Sequence, residues 1–225
     1  MSTDATRQVP AHPLRLGHRG ARAIKSIPEN TCASFDRALA DGCDGFEFDV
    51  RLTADGEAVV CHDPIVGSVR ISRAPAQQLP QLPRLGDVLT RYREAFLDIE
   101  IKVAGAEKIV VKALQAHCPA RFVVSSFLPE VLETSHDLLA GIPLGLICET
   151  KTQLRRWERL PVEFVIPHRS LVDEDLVRKL HASGKKCLVW TVNSAREMRK
   201  LSAWGVDGII SDNPRLLKKA LAHRS

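Results

Sequence analysis

The 225-residue chain is short of several things, and each shortage removes a class of function. Aromatic residues make up only 5% and do not interleave with a Lys/Arg run, so the net charge of +5 does not read as a nucleic-acid surface. The six cysteines, Cys32, Cys43, Cys61, Cys118, Cys148 and Cys187, form no CxxC pair and no zinc spacing. Several sit in apolar runs such as LICE and KCLVW, which fits reduced, buried thiols in a cytosolic protein. The N-terminal MSTDATRQVPAHPL lacks an apolar signal core, and no stretch reaches the apolar length of a membrane span. These features predict a soluble, cytoplasmic protein with no nucleic-acid partner and no membrane span. No Gly-rich nucleotide turn follows an early strand, which argues against a doubly wound dinucleotide fold. There is no internal repeat, low-complexity segment or clear linker, so residues 1–225 read as one domain.

What is present is alternation. Eight short apolar runs read as strands, at 14–18, 45–52, 95–102, 121–126, 143–149, 163–168, 186–192 and 207–212. Helical spacing fills the gaps, as in ENTCASFDRALADG, EKIVVKALQAH, LPEVLETSHDLLAG, TQLRRWERL and DEDLVRKLHASG. Eight strand–helix units predict an α/β fold, the parallel (β/α)8 TIM barrel. GEAVVCHD, after the turn TADG, reads as a hairpin following the second strand. It opens a small insertion spanning roughly residues 53–94, in which the segment from Pro64 to Pro83 reads as loop with one short helix.

Residues i and i+2 of a strand share a face. In GFEFDV, Phe46, Phe48 and Val50 then face the helices while Glu47 and Asp49 face the barrel axis; in LDIEIK, Asp98, Glu100 and Lys102 face inward. Inward acids repel one another and lose hydration, so a cationic group must compensate. Lys102 supplies one charge and a divalent cation on Glu47, Asp49 and Glu100 the rest, all-oxygen ligands pointing to Mg2+ or Ca2+; the alternative is a set of buried salt bridges among Lys102, Arg19 and these acids. His18 and His62 end the first strand and the hairpin, a pair suited to acid–base work. His168 reads either as rim or as cap, and Ser125 and Ser126 have no base partner in the sequence.

The elements LGHRGA (16–21), IPENT (27–31), FEFDVRLTADGEAVVCHD (46–63), IEIK (99–102), VWTVN (189–193) and DGIISDNP (207–214), in this order, resemble the glycerophosphodiester phosphodiesterases. The resemblance implies a TIM barrel, a divalent cation and hydrolysis of a small-molecule glycerophosphodiester to glycerol 3-phosphate and an alcohol. It implies His18 and His62 as catalytic histidines and Glu47, Asp49 and Glu100 as metal ligands. Arg19 and Lys102 match the phosphate-facing cations, Glu29 matches the acid of the PENT segment, and Trp190 is expected to line the substrate pocket. A barrel lipase cleaving lipid phosphodiesters, or a silent phospho-ligand-binding barrel, is the alternative. The stretch after His62-Asp63-Pro64 is shorter than the family's insertion and lacks its Arg-Thr-Thr wording, which leaves the preferred alcohol open.

Overall fold

The computed structural model describes residues 13–222. In chain order its first elements are β1 (Leu14–His18), α1 (Cys32–Ala40), β2 (Gly45–Leu52) and β3 (Ala58–Val60), then β4 (Ile65–Val66), β5 (Val69–Arg70) and α2 (Leu85–Arg91). There follow β6 (Phe96–Ile101), α3 (Glu107–His117), β7 (Arg121–Ser126), α4 (Pro129–Leu138) and β8 (Leu144–Cys148). The last are α5 (Lys151–Leu154), β9 (Phe164–Pro167), α6 (Glu174–Ala182), β10 (Lys186–Val189), α7 (Ala195–Ala203), β11 (Gly208–Ser211) and α8 (Pro214–Leu221). Eight of the strands are parallel, in the order β1-β11-β10-β9-β8-β7-β6-β2, and β2 returns to pair with β1. The sheet is therefore a closed TIM barrel with its helices outside.

Period-two patterning decides what each face meets. Phe46 and Phe48 pack outward on Phe35 of α1, with the Phe35 and Phe46 rings stacked at 4.1 Å. Leu97, Ile99 and Ile101 join the same outer layer. The barrel interior is a separate apolar plug, with Leu16, Phe96, Val123, Phe164 and Leu188 among its members. It fills the lower axis and leaves the polar inward residues at the C-terminal mouth, where barrel sites form.

The insertion departs from the sequence expectation. After β3 the chain forms the two-stranded ribbon β4–β5, two 3-10 turns at Ile71–Arg73 and Ala76–Gln78, and then α2, rather than loop with a single helix. Two-residue strands carry almost no periodicity, so no pattern announces them. TQLRRWERL holds only four α-helical residues before a 3-10 turn at Arg155–Glu158. The seventh strand stops at Val189, not 192. The thiols also divide: Cys43, Cys148 and Cys187 are buried, and burial pushes the first two up to about 12 and raises Cys187 as well, whereas Cys118 is exposed.

Pairing on β2 sets the site. On one edge β6 runs beside Gly45–Val50. On the other, β1 covers only Gly45–Glu47 and β3 takes over antiparallel at Val50–Leu52. Residues leaving β3 thus arrive directly above the end of β1, and His62 is delivered to the same mouth as His18.

Candidate active site

The two glycines around His18-Arg19 permit a sharp exit from β1. A Cβ at Gly17 would lie 2.3 Å from the Gly20 carbonyl oxygen, and one at Gly20 would lie 2.4 Å from Ser34 Oγ. Between them Arg19 takes a left-handed backbone at φ 49°, uncommon for a residue with a side chain. That conformation turns its N–H toward Glu47, donating to Oε2 at 3.0 Å. Asn30 is also left-handed, at φ 57°, and its N–H donates to the Arg19 carbonyl. Its side chain donates to Asp49 Oδ2 at 2.8 Å, so the PENT segment grips the same acid that Arg19 approaches.

The mouth holds a cavity of about 240 Å3. His18, Arg19, Glu47, His62, Glu100 and Lys102 line it, and Asp98 adds a further acid. Trp190 lines it from the other side, together with Phe127 and Glu149. Glu29 does not. Its carboxylate is held by Arg19 Nη1 and Arg22 Nε, each at 2.7 Å.

The acids are compensated unequally. Lys102 Nζ lies 2.6 Å from Glu100 Oε1 and 3.4 Å from Asp49 Oδ1, and Arg19 Nε lies 3.2 Å from Asp49 Oδ2. Burial pushes Asp49 up, but Lys102, Arg19 and the Asn30 amide outweigh it and hold this carboxyl below its usual range. Glu47 is raised well above its usual range, by burial first and then by the charges of Asp49, Glu100 and Asp98. Burial and Asp49 push Glu100 to about 7 despite Lys102. Asp98, fully buried, is also pushed to about 7 by burial, although Ser125 Oγ donates to it at 2.5 Å. The ion pairs anticipated from the sequence do form, but they leave Glu47 Oε1 and Asp49 Oδ1 buried without a hydrogen-bond donor. Glu47, Asp49 and Glu100 each offer one oxygen, all within 4.8 Å of one another. Three clustered carboxylates, two of which carry a buried oxygen that accepts no hydrogen bond, fit a divalent cation.

Each histidine has a carboxylate behind its ring. His18 Nδ1 lies 2.7 Å from Asp212 Oδ1, and His62 Nδ1 lies 2.7 Å from Asp63 Oδ1. Asp212 is further held by the Asn193 amide at 2.6 Å and by Arg22. Burial raises Asp212, but the hydrogen bonds from His18 and Asn193 and the charge of Arg22 outweigh it and hold it at about 2. His168 acts as a cap: its Nδ1 accepts from the Ser170 N–H, while its ring stands edge-on to Trp190 at 5.3 Å. Sequence reasoning gave Asn30, Asp212 and Asn193 no role, although IPENT, VWTVN and DGIISDNP contain them. Phe127 and Glu149 carried no motif at all.

The model of the glycerophosphoryl diester phosphodiesterase family matches residues 18–85 and 75–216. A glycerophosphodiester phosphodiesterase of Caldanaerobacter subterraneus subsp. tengcongensis is 29% identical over 235 residues, covering 91% of this chain and 96% of its own. One from Bacillus subtilis is 26% identical over 256 residues, with 93% and 87% covered. Among solved structures, an Oleispira antarctica phosphodiesterase in complex with the product sn-glycerol-3-phosphate superposes with a TM-score of 0.82 at 28% identity, covering 93% of this chain and 96% of that one. With the family model spanning nearly the whole barrel and full-length relatives on the same pattern, the chain belongs to the glycerophosphoryl diester phosphodiesterase family.

Proposed function

We propose that the barrel mouth hydrolyses glycerophosphodiesters to glycerol 3-phosphate and an alcohol, with Mg2+ or Ca2+ held by Glu47, Asp49 and Glu100. Family membership makes the chain a phosphodiesterase, and the observation that carries the mechanism is one small cavity lined by two histidines, Arg19, Lys102 and acids. When bound, a divalent cation supplies Lewis-acid charge at a non-bridging phosphoryl oxygen. Arg19 offers a fork of donors to phosphate oxygens, and its backbone and Glu29 hold that fork in place. Lys102 adds a point charge toward the charge that develops in the transition state.

His18 and His62 move protons. Asp212 is ionised and can only accept, so His18 Nδ1 carries the hydrogen and Nε2 is left for the reacting group. One histidine deprotonates the nucleophile, either water or the neighbouring glycerol hydroxyl; the other protonates the departing alkoxide. In this reading a single barrel domain performs the reaction, and the insertion at 53–94 delivers His62. The six free thiols fit a reducing compartment, and we place the protein in the cytoplasm. No helix among the described residues is long and apolar enough to cross a membrane.

The test is release of glycerol 3-phosphate from glycerophosphocholine by metal-stripped protein, with and without added Mg2+ or Ca2+. Release only with cation supports the assignment. Full activity in EDTA would overturn the role of the three carboxylates, and no release under any condition would overturn the substrate class.

A further inference from the structure

The cavity has two unlike walls. Strands β1, β2 and β6 and the residues that follow β1, β3 and β6 supply the histidines, the acids, Arg19 and Lys102. The opposite wall, from β8 to β10 with Phe127 just after β7, presents Phe127, Ile147, Ile166 and Trp190, and its one ionisable group is Glu149. The reaction proposed above makes no use of Glu149.

This second wall is built in advance. The Trp190 indole N–H donates to the Ile166 carbonyl at 2.9 Å, which fixes the ring. Phe127 stands edge-to-face with it, centroids 5.5 Å apart at 87°. Lys102 Nζ lies 5.7 Å from the Phe127 centroid, so that ring already attends a cation. The Glu149 backbone is held by its N–H, which donates to Gln153 Oε1 at 2.9 Å in the capping box of α5. Its exposed side chain takes no part in that bond. Among the described residues no ion pair or hydrogen bond engages the Glu149 carboxylate, whereas Glu100, across the cavity, is taken up by Lys102 at 2.6 Å.

Two aromatic rings, two isoleucines and one unneutralised carboxylate suit a group that is apolar and positively charged at once. A phosphodiester has two limbs. With the phosphate between Arg19 and Lys102, the hydroxyl-rich glycerol limb matches the oxygen-lined wall. The other limb is directed at the Trp190 wall. The cavity, at about 240 Å3, has room for a short head group rather than an acyl chain. We infer that the second wall is a subsite for a cationic alcohol, a short stem ending in an ammonium, with Glu149 as the residue that recognises its charge. This rests on the diester hydrolysis proposed above.

The test compares glycerophosphocholine and glycerophosphoethanolamine with glycerophosphoglycerol, whose second alcohol is neutral. Two readouts are taken: kcat/KM with divalent cation present, and equilibrium binding of each ester to the metal-stripped protein by calorimetry. For Glu149→Gln the ratio of cationic to neutral ester should fall about three- to fivefold in both readouts, the scale of an exposed charge contact, with the aromatic rings left in place. Glu149→Lys should lower it further, and added salt should shrink the wild-type preference. A ratio unchanged within about twofold in both variants would overturn the subsite. So would an equal loss for the neutral ester, which would make Glu149 a hydroxyl acceptor. If no ester is turned over but the binding ratio still falls, the hydrolase reading fails and the subsite stands; if turnover is normal and neither ratio moves, the reverse holds.

Discussion

Asp212 accepts the Nδ1 hydrogen of His18 at 2.7 Å, joining the two ends of the barrel across 194 residues of chain. The pairing follows from closure, because β1 lies beside β11 with Gly17 opposite Ser211. It aims Nε2 of His18 into the cavity, 3.8 Å from Glu47 Oε2. Asp212→Asn keeps the size of the side chain but can offer an N–H where an acceptor is needed. We expect kcat to fall about 10- to 100-fold, the scale of losing an orienting partner, with KM little changed. A larger change in KM than in kcat would show that Asp212 acts on binding instead.

The same carboxylate makes a pH prediction for stability. Its folded-state value of about 2 lies below the ordinary carboxylate range. The stabilisation is therefore complete above about pH 4 and is lost as pH falls through about 2. With Asp212 partly open to solvent, a contribution of the order of 1 kcal/mol is expected. Wild type and Asp212→Asn should differ in denaturant midpoint at pH 6 and converge near pH 2. Parallel curves over the whole range would contradict this.

For the histidines, His18→Ala and His62→Ala should each lower kcat by about 10²–10⁴ with the fold retained. The double variant should lose less than the product, since groups acting on one proton path are not additive. A p-nitrophenyl phosphodiester, whose leaving group departs without a proton, should rescue the variant that lacks the acid and not the one that lacks the base. If neither variant is selectively rescued, the acid–base division is wrong.

Cation binding should itself depend on pH. Glu100 is at about 7 and Glu47 is raised, so below neutrality a cation must displace protons. Affinity for Mg2+ or Ca2+ should rise as pH increases through about 7, and calorimetry in buffers of different ionisation enthalpy should reveal proton release near pH 6. A dissociation constant flat between pH 6 and 8 would count against these acids as the ligands.

Lys102 is in contact with Glu100 and Asp49 and so competes with any cation for their oxygens. Lys102→Met should tighten divalent-cation binding by at least about tenfold, because a like charge a few ångströms away is removed. The same change should lower kcat through loss of a phosphate-facing charge. Weaker cation binding in this variant would instead make Lys102 a support for the acids.

Local pattern determined much of this protein by itself. Eight apolar runs of strand length between helical spacings point to a parallel sheet covered by helices, and period two decides that Glu47, Asp49, Asp98 and Glu100 turn inward while Phe46 and Phe48 turn out. These are nearest-neighbour properties, visible in any window of a few residues. Only the tertiary structure decided what those groups meet. Closure of β11 on β1 brings Asp212 to His18, and β3 replacing β1 along β2 brings His62 to the same mouth. Backbone geometry turned Asn30 onto Asp49 and brought Glu29 to Arg19. Phe127, Glu149 and Trp190 come from three different strand ends, and no spacing in the chain relates them. A side chain's face is set by the residues next to it; its partner is set by which distant strands lie side by side.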